Sequence, residues 1–289
     1  MKKLAMILCL ILLTTSMSAC ALFKNKHKQP TYTSKEITPT LYLHGYSGTL
    51  NSTKYLIQRA TKAHHHDKIY ATVDAQGHVK VDRPLSKHDR HPLVIIKLED
   101  NENGDYQTNA QWIKNVLVKL EDQQKFDHYN MVMHSMANMS FSYFMLEHGN
   151  DKDLPKLNKQ VNIAGTFDGV LGMDDKENDN HLDQNGKPAK MTADYRHILP
   201  LKQIYRDKHI KVLNIYGDVE DGSHSDRRVS NVSSQSLEYI IGDVVDSYDT
   251  LKITGKEGDH SELHDSAKVA QHINPVSYTH LTLPTTPYV

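Results

Sequence analysis

The chain has 289 residues, and its 34 lysine and arginine residues nearly balance its 35 aspartate and glutamate residues. This balance does not favour a nucleic-acid partner, because binding to phosphate backbones requires a basic surface. One of the two cysteines, Cys9, lies in an apolar N-terminal run, so we expect neither a disulfide framework nor a cysteine metal site. The length suffices for one full-sized domain held together by its own core.

The N-terminus reads MKKLAMILCLILLTTSMSAC, with two lysines, an apolar run and small residues before Cys20. This order is typical of a secretory signal, which we assign to residues 1–19; the apolar run is short for a membrane-spanning helix. The ending MSAC resembles a bacterial lipobox and predicts a lipid anchor on Cys20, with plain secretion as the alternative. The polar and basic residues 20–36 would then form a flexible tether.

The C-terminal stretch VSYTHLTLPTTPYV, residues 276–289, has no apolar periodicity and follows what reads as an unfinished helix. It resembles a translated sequencing adapter, so we predict that it is not natural protein and exclude it from the fold. The folded domain is therefore expected at residues 37–275.

Within these residues, short apolar and β-branched runs alternate with helical patterns. Strands are predicted in the segments TPTLYLHG (Thr38–Gly45), KIYATVDAQGHVKVD (a hairpin about Gln76-Gly77), HPLVIIKLED, Tyr129–His134, KQVNIAG, HIKVLNIYGD and YDTLKITG. Helices are predicted in STKYLIQRATKA, NAQWIKNVLVKLEDQQ, Met136–His148 and SSQSLEYIIG. Strands that alternate with crossover helices imply an α/β class with a mostly parallel sheet and helices on both faces.

A polar insertion at about residues 172–197 interrupts the alternation. It is charged and nearly without apolar residues, and its acidic spacing around Gly186 does not fit an EF-hand loop. We predict a cap or rim loop over a cleft. The run His64–His66 is interpreted as a solvated loop, because three consecutive histidines cannot all face one metal ion.

Two segments near the ends of predicted strands suit nucleophilic catalysis. Ser135 lies between a strand and a helix, where a turn would lift its hydroxyl into the cleft at the carboxyl edge of the sheet. The backbone amide of Met136 would then face a developing oxyanion. The segment LHGYSGT, at the end of the first strand, offers the amide of Tyr46 as a second donor.

Two later loops offer an acid and a base. The first, YGDVEDGSHSDRRV, contains Asp218, Asp221 and Asp226, and the second, GKEGDHSELHDSAKV, contains His260 and His264. A serine hydroxyl needs a base within hydrogen-bond reach, and that base needs an acid to fix its tautomer. The order serine, acid, histidine is that of the α/β-hydrolases. Taken singly, the serine could be a helix N-cap, and the acid and the histidine could be surface groups.

Taken together, LHGYSGT, HSMAN, LNIYGDVEDGSHSDRRVS and HSELHDSAKV resemble an α/β-hydrolase family of unknown function. Its members are described as cell-surface hydrolases of Gram-positive bacteria and are similar to lipases and esterases. The resemblance implies the α/β-hydrolase fold, with Ser135 as the nucleophile, Asp226 as the acid and His260 as the base. Asp221 is the reserve for the acid.

The turn around the serine departs from the usual pattern, since Met133 and Ala137 stand where a strained turn favours glycine. The long side chain of Met133 is expected to be the harder one to accommodate. This feature leaves open a surface binding protein that has lost turnover, and the same triad would also serve an amidase or peptidase.

The leading prediction is a membrane-tethered, extracytoplasmic serine hydrolase. We expect it to act on a small-molecule or lipid ester, as a monomer, with no metal or organic cofactor and no nucleic-acid partner.

Overall fold

The computed structural model describes residues 30–63 and 66–273, except for the side chain of Ala63. The predicted signal, Cys20, most of the predicted tether, His64, His65 and the tail at 276–289 lie outside these ranges. Pro30 and Thr31 belong to a separate N-terminal unit, and the fold begins at Tyr32. Within the described ranges, no helix combines the length and the apolar character needed to cross a bilayer.

The described strands form one eight-stranded sheet in the order β3-β2-β4-β1-β5-β6-β7-β8. Every neighbouring pair is parallel except β2 and β3, which form the antiparallel hairpin predicted about Gln76-Gly77. The predicted mostly parallel sheet is therefore confirmed. The strands are β1 Thr40–Leu43, β2 Lys68–Val73, β3 Val79–Val81, β4 Leu93–Leu98, β5 His128–His134, β6 Lys156–Ile163, β7 Lys211–Asp218 and β8 Ser247–Thr254.

Helices cover both faces of this sheet. Leu41 and Leu43 belong to one buried cluster and the intervening Tyr42 belongs to the other, as expected when successive side chains of a strand point to opposite faces. The helices of the described residues are α1 Asn51–Ala63, α2 Tyr106–Gln123, α3 Met136–His148, α4 Ala193–Ile198, α5 Leu201–Tyr205, α6 Asn231–Gln235, α7 Leu237–Ile241 and α8 Ala267–Ile273. Two 3₁₀ helices, Gly255–Gly258 and Glu262–Asp265, precede α8.

Helix α2 begins three residues earlier than the apolar pattern of NAQWIKNVLVKLEDQQ indicates. The cause is Asp105, whose carboxylate accepts hydrogen bonds from the amides of Gln107 and Thr108 at 3.2 and 3.3 Å. An aspartate at this position satisfies amides that have no partner inside the helix, so the helix can start before its first apolar residue.

The segment SSQSLEYIIG, predicted as one helix, forms the end of α6 and α7. Two buried side chains from elsewhere bind carbonyl oxygens at the break. Asn214 donates to the carbonyl of Ser234 at 2.8 Å, and the hydroxyl of Tyr195 donates to that of Ser236 at 2.8 Å. Carbonyls that are engaged in this way are less available to a continuous helix.

The solvated-loop interpretation is wrong for His66. Its side chain is only 6 % exposed, and its Nδ1 lies 3.5 Å from a carboxylate oxygen of Asp89. The loop before β4 therefore covers this ring, a tertiary contact that a run of histidines does not reveal.

Candidate active site

Ser135 lies in the turn between β5 and α3 and has a φ of +57° and a ψ of −130°. A non-glycine residue in this region is strained, so the surrounding structure must hold it there. The amide of Ser135 donates to the carbonyl of Ile163, at the end of β6, at 2.9 Å. The side-chain amide of Asn138 donates to the carbonyls of both residues, at 2.9 and 3.1 Å. The turn is thereby fixed to the neighbouring strand.

Met133, which the sequence analysis treated as an obstacle, fits into the core. It lies in regular register between Leu43 and Asn162, and its side chain is completely buried in the same cluster as Ala137. The expected steric conflict is therefore absent from this side of the turn.

Glycine is required instead at Gly45, in the loop after β1. A Cβ atom there would lie 2.7 Å from the Cβ and 3.3 Å from the Oγ of Ser135, and 3.0 Å from the carbonyl oxygen of His134. Only a residue without a side chain lets the β1 loop approach the serine this closely. This approach supports the prediction that the next backbone amide, that of Tyr46, faces the serine.

The loop around Tyr46 is held from β4 and from the loop that follows it. The amide of Ser47 donates to the carbonyl of Asn101 at 2.7 Å, and the side-chain amide of Asn101 donates to the carbonyl of Gly48 at 2.8 Å. His44 is buried and accepts the amide of Leu98 at 3.2 Å; burial lowers the pKa of His44, which keeps the ring neutral.

Neither predicted oxyanion donor is engaged by a hydrogen bond within the described part of the chain. The amide of Met136 begins α3 and belongs to the first turn, whose amides have no intrahelical acceptor. The amide of Tyr46 also donates no hydrogen bond to a described residue. Both are thus available to an external oxygen.

The three residues predicted as nucleophile, acid and base lie within hydrogen-bond distance of one another. Ser135 Oγ lies 2.9 Å from His260 Nε2, and His260 Nδ1 lies 2.8 Å from Asp226 Oδ2. In the tautomer that this chain of contacts requires, the hydroxyl donates to Nε2 and the Nδ1–H donates to the carboxylate. This is the geometry in which a histidine can take the serine proton.

Asp226 is 1 % exposed, and its second oxygen is satisfied by the backbone. Oδ1 accepts the amides of Arg228 and Val229 at 2.9 and 2.7 Å. These two bonds orient the carboxylate and leave Oδ2 for the histidine. A buried carboxylate with every partner assigned is suited to balance an imidazolium charge.

The alternative acids and the alternative base have other contacts. Asp218 is buried at the end of β7 and forms a 2.7 Å ion pair with Lys252, and the carboxylate of Asp221 lies 3.7 Å from Arg227. His264 lies beside Asp265, with 3.4 Å between Nδ1 and the carboxylate. Of the acids and histidines that chain order left open, Asp226 and His260 are the pair that is hydrogen-bonded in line with Ser135.

Two glycines bring the loops of the acid and the base together. A Cβ on Gly217 would lie 2.0 Å from the carbonyl oxygen of Gly258, and a Cβ on Gly258 would lie 2.8 Å from that of Asp218. Because the two backbones touch, the amide of His260 can donate to the carbonyl of Asp226 at 3.0 Å. Close backbone approach thus aligns two side chains that are 34 residues apart.

The polar insertion is bonded to the loop that contains Asp226. Leu171 donates its amide to the carbonyl of Arg228 at 2.9 Å, and Ser230 Oγ donates to the carboxylate of Asp175 at 2.5 Å. Asp168, at the base of the insertion, accepts the amide of Thr192 at 2.8 Å and so joins its two ends. Burial raises the pKa of Asp168 to about 6, against the hydrogen bonds that lower it.

Several supporting residues escaped the sequence analysis. Asn138 was noticed only as part of HSMAN, and nothing in the sequence marked Asn101 or Gly258 as essential to the site. Among the described residues, no group of three or more histidine, cysteine or acidic residues is arranged to hold a metal ion.

Comparisons with known proteins identify the family and the fold. A family model described as an alpha/beta hydrolase of unknown function (DUF915) matches residues 26–278. The crystal structure of the lin2722 gene product from Listeria innocua superposes with a TM-score of 0.69 at 20 % identity, covering 81 % of this chain and 91 % of that chain. A protein from Lactobacillus plantarum, provisionally described as a cell surface hydrolase, gives 0.66 at 18 % identity, covering 88 % and 94 %. These similarities show the fold, and no curated protein matches the chain.

Proposed function

The chain belongs to this family of alpha/beta hydrolases, and from that premise we propose that it is a serine hydrolase that cleaves carboxylic esters outside the cytoplasm. The observation that carries the proposal is the continuous chain of contacts from Ser135 through His260 to Asp226, beside two available backbone amides. Hydroxyl, imidazole and carboxylate in this order are the groups that acyl transfer requires.

The proposed reaction has two stages. Ser135 Oγ attacks the ester carbonyl carbon while its proton passes to His260 Nε2, and Asp226 balances the imidazolium. The amides of Tyr46 and Met136 donate to the tetrahedral oxyanion, whose collapse expels the alcohol with the proton from His260. A water molecule deprotonated by His260 then attacks the acyl-enzyme. As the second tetrahedral intermediate collapses, the acid leaves and His260 returns the proton to Ser135 Oγ.

The active-enzyme proposal is favoured over a binding protein without turnover. The loss of turnover was inferred from Met133, and that side chain lies in the core without displacing Ser135. Neither the contacts nor the family description selects the leaving group, so the choice of an ester over an amide rests on the lipase- and esterase-like resemblance.

A fluorophosphonate probe tests the nucleophile. We expect the wild type to be labelled and Ser135→Ala to lose labelling. Ser142→Ala, at a buried serine of helix α3, should be labelled like the wild type. Labelling that survives in Ser135→Ala would refute the assignment.

A panel of p-nitrophenyl esters and the matched p-nitroanilides tests which type of bond is cleaved. Cleavage of the anilides alone would show that the protein is an amidase and not an esterase.

The location is part of the proposal. The lipobox-like MSAC predicts that Cys20 anchors the chain to the outer face of the membrane. We expect the wild type in the membrane fraction of a Gram-positive host and Cys20→Ala in the medium. An unchanged distribution of Cys20→Ala would exclude the lipid anchor.

A further inference from the structure

His134, the last residue of β5, contacts the loop of the proposed base. Its Nε2 lies 2.9 Å from the backbone carbonyl oxygen of His260, 126 residues further along the chain. The two rings also pack together, with their centroids 4.7 Å apart. His134 is 8 % exposed, so the bond is shielded from water. The residue before the nucleophile is thus bonded to the residue that would take the nucleophile's proton.

The bond completes the restraint of His260. On one side of its Cα, the amide of His260 donates to the carbonyl of Asp226 at 3.0 Å. On the other side, the carbonyl of His260 accepts from His134. The main chain is therefore held on both sides, while the ring forms hydrogen bonds with Ser135 and Asp226 and packs against the ring of His134.

His134 is suited to this role because it is neutral. A carbonyl oxygen can only accept, so the proton of His134 lies on Nε2. The rings of His260 and His264 pack against it, and His44, which follows β1, is close enough to act on its charge. Burial holds the pKa of His134 well below its usual value, and His260 and His264 lower it further. A neutral donor does not repel an imidazolium on His260, as a cation at this distance would.

We propose that His134 is a positioning residue: its hydrogen bond to the carbonyl of His260 holds the imidazole in line between Ser135 and Asp226. The inference rests on the proposed function, because it assigns His134 a task in the proton transfer of that reaction. It does not require that the substrate be an ester, since any acylation of Ser135 uses the same transfer.

Two substitutions separate the hydrogen bond from the packing. His134→Phe keeps a ring in the cluster but removes the donor, whereas His134→Gln keeps an N–H near the position of Nε2 but removes the ring. We expect His134→Phe to lower kcat about tenfold with KM within about twofold, and His134→Gln to remain within about threefold of the wild-type kcat. His264→Phe is the matched control, because it alters the same ring cluster without touching the bond, and should remain within about twofold.

The rate of fluorophosphonate labelling is measured beside kcat and thermal unfolding. A purely structural role predicts that activity follows stability, with His134→Phe at least as good as His134→Gln. The proposal predicts the reverse order of activity, with glutamine ahead of phenylalanine. Equal labelling rates in the wild type and His134→Phe would overturn it. Labelling of the wild type without ester cleavage would refute the esterase proposal alone, and absence of labelling would refute both.

Discussion

Ser135 and His260 are held in the candidate site by different means. Ser135 lies in a strained turn between β5 and α3, which follow each other directly in the chain, and its amide is bonded to Ile163 at the end of the neighbouring strand. His260 lies between two four-residue 3₁₀ helices, where local structure alone offers little restraint. Its position depends on contacts with Asp226 and His134, which are distant in sequence. The proposed nucleophile is thus placed by two successive elements that the neighbouring strand supports, whereas the proposed base depends mainly on long-range contacts.

The largest effect is expected from a substitution that disturbs the packing of the loop that contains His260. A Cβ introduced by Gly258→Ala would lie 2.6 Å from the carbonyl oxygen of Ile253 and 2.8 Å from that of Asp218, both of them backbone atoms. We expect a loss of about 2 kcal/mol in the free energy of unfolding and a fall of about 100-fold in kcat/KM as His260 shifts. Urea unfolding and ester hydrolysis measure the two effects. Gly104→Ala, where no atom lies within 4 Å of the added Cβ, is the control.

The corresponding test on the side of the nucleophile is Gly45→Ala. Its Cβ would lie 2.7 Å from that of Ser135, so either the β1 loop or the serine must move. We expect kcat/KM to fall about 100-fold, with a smaller loss of stability than in Gly258→Ala, about 1 kcal/mol. If Gly45→Ala were as active as Gly104→Ala, the role assigned to the loop as an oxyanion donor would be wrong.

The substitution Met133→Gly tests whether the turn needs a glycine two residues before the serine. Met133 is fully buried, so we expect a cavity and a loss of about 3 kcal/mol in stability, with kcat of the folded protein unchanged within about threefold. Thermal unfolding and kcat at a temperature below both transitions separate the two. A clear gain in kcat would instead revive the interpretation of a protein impaired by Met133.

Asp168, at the base of the insertion, is expected to make the stability of the protein depend on pH. Its pKa is raised from 3.8 to about 6, so its neutral form is favoured in the folded state. The stabilisation from that form is complete below pH 3.8 and is lost as the pH rises through about 6. Relative to Asp168→Asn, the wild type should therefore lose up to about 3 kcal/mol of stability over this range. Urea unfolding at several pH values measures the difference, and parallel curves for the two proteins would contradict the prediction.

The smallest effect is expected at an exposed ion pair between the two loops. Arg227 beside the acid and Asp259 beside the base lie 3.0 Å apart, with the arginine side chain 61 % exposed. Water screens such a pair, so Asp259→Asn should cost less than about 1 kcal/mol and change kcat/KM by less than about threefold. Asp221→Asn, which removes the more distant partner of Arg227, is the control. A tenfold fall in kcat/KM would show that the pair, and not the backbone contact, aligns the loops.

Much of the fold followed from local patterns. The strand Tyr129–His134 and the helix Met136–His148 were predicted almost to the residue, because a mostly apolar run is followed there by a long helical pattern. The early start of α2 at Tyr106 was missed, and its reason is also local, in the side chain of Asp105. The division between α6 and α7 was missed for a different reason, since the side chains responsible, Asn214 and Tyr195, come from distant segments.

The order of serine, acid and histidine, and the edge of the sheet where they gather, were determined by the sequence, because apolar periodicity and chain order are properties of neighbouring residues. Which aspartate faces which histidine was decided by the tertiary structure. Asp218 ends β7 and Asp221 and Asp226 follow it, and the close contact between the backbones of Gly217 and Gly258 helps to set the distance from each of them to His260. Side-chain contacts at 2.8 and 2.9 Å depend on such packing, which no spacing along the chain encodes.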